Sequence, residues 1–327
     1  QFNGVDLPNS SGNTFTIADL TAERAGNYRC LVSNPGGTTV SENALVNVAT
    51  AAQAGRIINL SILSTLENSE ANFTMGFVVG GAGTIGGKPV LARAAGPSLA
   101  PFGVGNPHPD PKLELFSGPI RMSENDNWSG TPALSQIFSR VGAFSYLSND
   151  SKDAAAFSPL VSSGSNSVRI SGAPGTSGTV IAEIYDATPI PELAYSTPRL
   201  INVSVLKHIP ANTVLTAGFV LGGSLSTKVL IRVVGPGLAK FGVAGAMSDP
   251  RCDLFKNASQ IPSIGNDNWL GTTELRTAFA AVGAFELDPA SKDAALVTTL
   301  PPGSYSVQAR GAFASSGVAL VEIYEMP

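Results

Sequence analysis

Charged residues are scarce in this chain. They make up 13% of its 327 residues, about half the share found in average proteins. The 20 lysines and arginines stand against 24 aspartates and glutamates, which gives a net charge of −4, and the basic residues are scattered singly. Binding to a phosphate backbone needs clustered basic side chains. The sequence therefore argues against nucleic acid as a partner.

Long apolar runs and cysteines are also few. No apolar stretch approaches the roughly 18 to 20 residues of a membrane-spanning helix, so no membrane span is predicted. The two cysteines, Cys30 and Cys252, carry little information about the redox compartment. Because Cys252 stands where the matching stretch of the chain has Leu113, we interpret it as a buried strand residue.

Turn-forming residues are abundant. The chain has 35 glycines and 23 prolines, together with many serine, threonine and valine residues. This composition is typical of short strands joined by tight turns, and it predicts an all-β protein. The length is sufficient for two or three domains, each with a core of its own.

The sequence is internally duplicated. The stretch RIINLSIL at Arg56 returns as RLINVSVL at Arg199. Further blocks follow in the same order in both copies: MGFVVGG and AGFVLGG, GPSLAPFGV and GPGLAKFGV, two NDNW tetrapeptides, two SKDAA blocks, then SGTVIAEIYD and SGVALVEIYE. This series predicts two copies of one domain, residues 56–187 and 199–327. The segment between them, 188–198, contains three prolines and is predicted to be a stiff linker.

Each repeat is predicted to fold as a β-sandwich. The spacing of apolar residues and turns indicates about eight short strands in a jelly-roll-like arrangement. One short helix interrupts them: in the first repeat Thr131 is a candidate N-cap, Pro132 takes the first helical position, and Gly142 ends the helix. The equivalent residues of the second repeat are Thr272 or Thr273 and Gly283.

The first fifty residues follow a different pattern. The stretch GNYRC places Tyr28 two residues before Cys30, which resembles the tyrosine corner and second cysteine of an immunoglobulin-like domain. On this resemblance, residues 1–50 are the second half of such a domain, and the strand with the first cysteine would lie upstream of Gln1. Half a sandwich cannot bury its inner face, so we expect another polypeptide to complete it.

The two repeats also resemble a known family. Their blocks GFVVGG, VLIRVVGP, a DP-x-L-x-LF strand, NDNW, SKDA and GVALVEIYE are similar to a tandem C-terminal repeat domain of secreted and surface proteins of bacteria. The segment from DPKLELF to the final strand also looks like the pre-peptidase C-terminal domain, a small β-sandwich appended to secreted enzymes. These resemblances imply an extracellular or cell-surface location and a modular role, and they imply no reaction.

The paired NDNW tetrapeptides allow two interpretations. Asp126 and Asp267 are candidate calcium ligands, since a carboxylate, amides and carbonyls together make a weak extracellular site. Further ligands would come from DP or SKDAA, namely Asp110, Asp249, Asp153 and Asp293. Alternatively, Asn and Asp close a turn with their own side chains while Trp128 and Trp269 seal the edge of the core. The second interpretation is favoured.

No catalytic set is evident. His108 and His208 have no counterparts in the other copy, which argues against a duplicated Ser-His-Asp site. No second carboxylate is placed beside the final-strand glutamates Glu183 and Glu322, as glycoside hydrolysis would require. Arg93, inside an apolar strand like its counterpart Arg232, needs a partner, and a strand glutamate is expected. The chain is predicted not to be an enzyme and to need no cofactor, with calcium as a possible exception.

Three functional classes remain open. The first is a structural protein, the subunit of a surface fibre in which copies of the chain form a homopolymer through sandwich contacts. The second is a carbohydrate-binding or adhesive module, with tryptophans or tyrosines stacked on a polysaccharide. The third is the accessory C-terminal region of a secreted hydrolase. Low charge and the open half-domain favour the first, while the 7% aromatic content argues against the second.

Overall fold

The structure is a computed structural model that describes residues 1–8, 10–17, 20–68, 70–256 and 259–327, with residues 260–263 described by their backbone alone. The chain divides into two compact units, Gln1–Gln53 and Ala54–Pro327. The first unit has a 3₁₀ helix, Ala22–Arg24, and four strands: β1 (Gly26–Tyr28), β2 (Leu31–Asn34), β3 (Gly37–Val40) and β4 (Ala44–Val46). β1 pairs with β4 and β2 pairs with β3, both antiparallel.

The second unit contains both sequence repeats. The first repeat forms β5 (Arg56–Leu66), β6 (Asn72–Gly80), β7 (Gly87–Ala95), β8 (Pro111–Ser117), β9 (Ile120–Asn125), α1 (Pro132–Val141), β10 (Ala154–Ser162), β11 (Gly164–Gly172) and β12 (Gly178–Asp186). The second forms β13 (Arg199–Ile209), β14 (Leu215–Gly222), β15 (Thr227–Val234), β16 (Pro250–Lys256), β17 (Ser259–Asn266), α2 (Thr273–Val282), β18 (Ala294–Leu300), β19 (Gly303–Gly311) and β20 (Gly317–Glu325). Short 3₁₀ helices occupy Pro97–Phe102, Ile190–Glu192 and Pro236–Phe241, while Ala312–Ala314 belongs to a turn with left-handed backbone angles.

The strands form two eight-stranded antiparallel sheets. Their orders are β10-β7-β12-β5-β14-β19-β16-β17 and β18-β15-β20-β13-β6-β11-β8-β9. Replacing each strand by its counterpart in the other repeat converts one order into the other, so the repeats are related by an internal two-fold pseudo-symmetry. The prediction of an all-β sandwich with one α-helix in each repeat is confirmed.

Both sheets run continuously from one repeat into the other. Each repeat supplies four neighbouring strands to each sheet, and the repeats join where β5 pairs with β14 and where β13 pairs with β6. At these junctions Ile62 lies opposite Ala217, and Val205 lies opposite Met75. The sequence predicts a sandwich in each repeat, and the structure adds main-chain pairing between the two.

Alternation along the strands places the main core between the sheets. In β6 every second side chain is buried, as in Phe73, Met75, Phe77 and Val79, and β14 shows the same period. This two-residue period is that of a strand with one covered face. Cys252 also lies in this core and is completely buried, as predicted, and burial raises the pKa of its thiol to about 12.

Two smaller cores lie beneath the helices. In the first repeat α1 and neighbouring loops pack on Leu91, Ala95 and Tyr185 of the sheet, and α2 covers an equivalent cluster in the second repeat. Gly142 and Gly283 end the two helices with left-handed backbones, as expected.

The helix starts differ from each other. The Thr272 hydroxyl accepts a hydrogen bond from the Leu275 N–H, so it is an N-cap in the predicted sense. Thr131 takes the N-cap position, but its side chain makes no cap bond, and only its carbonyl accepts, from Ser135.

Candidate functional site

The NDNW tetrapeptide is a cross-link between a turn and the next strand. The Asn125 amide donates to the Asn127 carbonyl at 2.9 Å, and its Oδ1 accepts from the Ala155 N–H at 2.9 Å. Asn266 makes the same two contacts in the second repeat, at 2.9 and 3.0 Å. Each first asparagine therefore ties its turn to the start of β10 or β18.

The two tryptophans are structural. Trp128 is 5% exposed and Trp269 is 2% exposed, which confirms the prediction that they are buried. Their indole N–H groups donate to the carbonyls of Ser148 and Asp288 at 3.1 and 3.0 Å. Each ring also lies 5.3–5.5 Å from a phenylalanine of the covering helix. Rings held in this way present no free face for sugar stacking.

The candidate calcium ligands lie on the outside of these turns. Asp126 is exposed and Asp267 is half-buried, and each accepts a hydrogen bond at 3.2 Å from the following asparagine amide. Of the suggested further ligands, Asp249 is paired with Lys292 at 2.6 Å. The described residues contain no cluster of three or more His, Cys, Asp or Glu suited to a metal ion. A calcium site at these loops remains a sequence-based hypothesis.

The aspartates of the SKDAA blocks have a different role. Asp153 is completely buried and accepts hydrogen bonds from the backbone N–H groups of Gly96 and Ser98 at 2.7 and 3.2 Å, and from the hydroxyls of Ser98 and Ser151. It thus caps the 3₁₀ helix Pro97–Phe102. Asp293 does the same with Gly235, Gly237 and Ser291. The SKDAA block and the Gly-Pro block that begins at Gly96 or Gly235 each occur twice in the sequence, but the sequence does not indicate that the two blocks are in contact.

A buried ion pair lies under each helix. Arg93 is 0% exposed and lies opposite Glu183 in the register of β7 and β12, with Nε 3.6 Å from Oε2. Arg232 and Glu322 repeat this pair at 3.0 Å. The expectation that a strand glutamate would partner each arginine is confirmed.

Aromatic rings enclose these arginines. The Arg93 guanidinium lies 4.3–4.4 Å from the ring centroids of Phe138, Phe144 and Tyr146. Arg232 lies 4.7 and 4.3 Å from Phe279 and Phe285. Such cation–π contacts strengthen when water is excluded. We call each arginine with its glutamate and rings an arginine cage.

Burial controls the ionisation of the first cage. Desolvation raises the pKa of Glu183 above its usual value, although Arg93 and the Tyr185 hydroxyl, which donates at 2.8 Å, act in the opposite direction. Burial alone would lower the pKa of Arg93, but the neighbouring Tyr146 and Glu183 raise it. Arg93 and Glu183 pair with each other, and Arg93 also packs on aromatic residues beneath the covering helix. We therefore interpret the cage as a stabilising element of the fold.

The described part of the N-terminal unit, by contrast, has no core of its own. Among the described residues of 1–53 none is buried, and their exposed apolar side chains include Val5, Phe15, Leu20, Leu31, Val32, Val40 and Leu45. The unit contains an open cleft of about 900 Å³ lined by Phe15, Tyr28, Leu31 and Val46 among others. The Tyr28 hydroxyl donates to the Arg24 carbonyl at 2.8 Å, a contact similar to the hydrogen bond of a tyrosine corner.

Comparisons with known proteins identify no family. Neither a protein-family model nor a curated protein matches the chain. Among solved structures, one described as "Structure of PNGF-II in C2 space group" aligns with 84% of this chain at 9% identity and a TM-score of 0.18, a likeness too weak to carry an argument. The chain spans 57% of the length of that protein. No helix in the described residues is long and apolar enough to cross a membrane.

Proposed function

We propose that the chain is a non-enzymatic extracellular structural protein, the subunit of a surface fibre, and that residues 1–53 join one copy to the next. The observation that carries this proposal is that none of the described residues of the N-terminal unit is buried. The extracellular location rests on the family resemblance of the two repeats.

The exposed strands of the N-terminal unit favour association. Its two sheets have two strands each, and isolated two-stranded sheets are marginally stable in water. Unpaired strand edges beside exposed apolar residues are a template for pairing with another chain. Ordering each residue also costs roughly 1–2 kcal/mol of backbone entropy, which burial of apolar surface must offset. A polypeptide laid on the apolar side chains of this unit would supply that burial.

The second unit suits the role of a rigid spacer. Its two sheets are continuous across both repeats, and its buried ionisable groups in the arginine cages and at Asp153 and Asp293 are engaged in internal contacts. Such groups hold loops and helices on the sheets, so they support a mechanical role.

Another copy of the same chain is the proposed occupant of the N-terminal surface. The net charge of −4 over 327 residues leaves little repulsion between copies. A contact between unlike surfaces that does not close a ring propagates into a filament. Sedimentation velocity and negative-stain imaging of the full chain over a concentration series should therefore show open-ended oligomers.

Two substitutions test whether the N-terminal unit makes the contact. Val32→Asp and Leu45→Asp place a charge among its exposed apolar residues and should shift the chain to monomers. Leu147→Asp alters a comparably exposed leucine of the second unit and serves as the matched control. A wild-type chain that stays monomeric, or assemblies that tolerate both N-terminal substitutions, would contradict the proposal.

A further inference from the structure

The turn between β19 and β20 differs from its counterpart between β11 and β12. In the first repeat Pro174 and Gly175 occupy the centre of the turn, and Gly175 has φ +79°. In the second repeat the central residues are Phe313 and Ala314, with φ +50° and +59°. Both turns close with a hydrogen bond between their first and fourth residues, Thr176 N–H to Ala173 and Ser315 N–H to Ala312.

The second turn is strained and exposes its aromatic ring. Positive φ at both central positions is the pattern of a type I′ turn, which favours Gly, Asn and Asp over Phe and Ala. Phe313 is nevertheless 95% exposed, so burial does not compensate for the strain. Strained backbone at an exposed large side chain is a feature of binding sites.

A polar cleft lies beside this ring. It has a volume of about 420 Å³ and is lined by Asn212, Thr213, Gln308 and Arg310 as well as Phe313. This volume lies within the range of small-molecule sites. The cleft therefore offers one aromatic platform with amide, hydroxyl and guanidinium groups around it.

The cleft is preorganised by a buried carboxylate. Asp253 is buried and receives hydrogen bonds from Arg310 at 2.8 and 3.1 Å, and from Arg251 at 2.8–3.1 Å. Burial would raise the pKa of Asp253, yet these hydrogen bonds hold it below its usual value. The residues that line the cleft include one charge of each sign, Asp253 and Arg310. Arg251, which shares Asp253, is also attracted by Asp267, so the four charged groups leave no net charge at the cleft.

The chemistry of the cleft selects the ligand class. A pyranose ring has an apolar C–H face that packs on an aromatic ring, and hydroxyls at its rim that bond to amides and guanidinium groups. A neutral lining favours an uncharged sugar. We infer that Phe313 and the adjacent cleft form a binding site for a neutral oligosaccharide in the second repeat. The corresponding positions of the first repeat have Pro174 and, in place of Arg310, Ser171.

Titration of the full chain with three neutral probes, cellotetraose, tetra-N-acetylchitotetraose and maltotetraose, tests this assignment by calorimetry and saturation-transfer NMR. At least one probe should bind, with magnetisation transferred to its ring protons. Phe313→Ala should weaken that binding by about tenfold or more, and the double variant Phe313→Pro with Ala314→Gly, which copies the first repeat, should abolish it. Because proline cannot take the φ of +50° found at Phe313, the double variant must change its turn to that of the first repeat, and its melting curve checks that it still folds. Ala314→Gly alone should melt at or above the wild-type temperature, because glycine takes φ +59° without strain.

Ile85→Ala alters an exposed apolar residue of the first repeat and should leave sugar binding unchanged. The assignment is overturned if none of the probes binds, or if both Phe313 variants bind as the wild type does. Loss of self-association in Phe313→Ala without any sugar binding would also overturn it, in favour of a contact between copies. The site does not depend on fibre assembly, since its variants leave the N-terminal unit unchanged.

Discussion

Arg93 and Glu183 face each other across neighbouring strands of one sheet, both buried, and Arg232 and Glu322 repeat this relationship in the other sheet. The duplication shows that the pair belongs to the framework of the repeat. Arg93 Nη1 and Nη2 and Arg232 Nη2 make no hydrogen bond, and each guanidinium carbon lies over aromatic rings. The ion pair and the rings therefore stabilise the buried arginine together.

Removing one charged member of an arginine cage should strongly lower the free energy of unfolding. Glu183→Gln keeps the shape of the side chain but leaves the Arg93 charge uncompensated in the interior, and we expect a loss of about 3–5 kcal/mol. The double change Arg93→Met with Glu183→Leu should cost less than Glu183→Gln alone. Urea unfolding of both variants measures the difference.

The exposed pair Arg121–Glu124 is the control for this experiment. Arg121→Gln should cost under about 1 kcal/mol, since Arg121 is itself exposed and solvent screens its pairs with Glu124 and Glu114. A loss of that small size for Glu183→Gln would mean that the cage does not hold a charged pair.

The buried aspartates of the SKDAA blocks should contribute more to the free energy of unfolding than the aspartates of the NDNW turns. Asp153→Ala leaves the N–H groups of Gly96 and Ser98 without an acceptor, and we expect a loss of about 3 kcal/mol in unfolding experiments. Asp126→Ala alters an exposed residue and should stay within about 0.5 kcal/mol of the wild type. Equal effects at the two positions would contradict the assigned roles.

Much of the fold could be predicted from the sequence because the duplication gave each pattern twice. Gly142 and Gly283 marked the ends of the two helices. Arg93 lies within an apolar strand, so the sequence predicted that it would have a charged partner. The pairing of β5 with β14 could not be predicted, since a repeat shows what each copy contains but not which strand edges join. The contact of Asp153 with Gly96 was hidden for a similar reason, because the two residues are 57 positions apart and meet only in the folded chain.

Phe313 illustrates a second limit of sequence analysis. The exchange of Pro-Gly for Phe-Ala is visible when the repeats are aligned, but an aromatic residue in a strand-rich sequence is most simply interpreted as core. Only the left-handed backbone and the exposed ring set it apart. The strained turn at Phe313 and Ala314 therefore led to the proposed oligosaccharide site. The motifs that occur in both repeats instead proved to make structural contacts.

Low pH should lower the folding stability of the first repeat, because His108 is buried in its neutral form. This residue is completely buried, its Nδ1 accepts from the Asp110 N–H at 3.2 Å, and its Nε2 lies 3.1 Å from the Thr176 hydroxyl. The ring is thus held neutral, and burial lowers its pKa below the usual value of 6.5, although Asp110 acts in the opposite direction. Because the unfolded chain takes up the proton first as the pH falls, stability should decline from about pH 7 through 6.5 and below.

Substitution by the residue of the other repeat tests this effect. His108→Met introduces the side chain found at Met247 and should flatten the stability profile between pH 7 and 5, measured by urea unfolding at each pH. His208→Gln changes an exposed histidine and should keep the wild-type profile. An unchanged slope in His108→Met would assign the acid sensitivity to the carboxylates instead.

Calcium should have little effect on stability. Each NDNW loop offers one carboxylate, and an amide of the neighbouring asparagine already bonds to it. We therefore expect the same melting temperature in EGTA and in about 10 mM calcium. A native-state site with a Kd of about 1 mM would instead add about 1.4 kcal/mol at that concentration, enough to raise the melting temperature by a few degrees. Such a rise, lost in the double variant Asp126→Ala with Asp267→Ala, would identify the loops as calcium sites and assign both aspartates a role in metal binding.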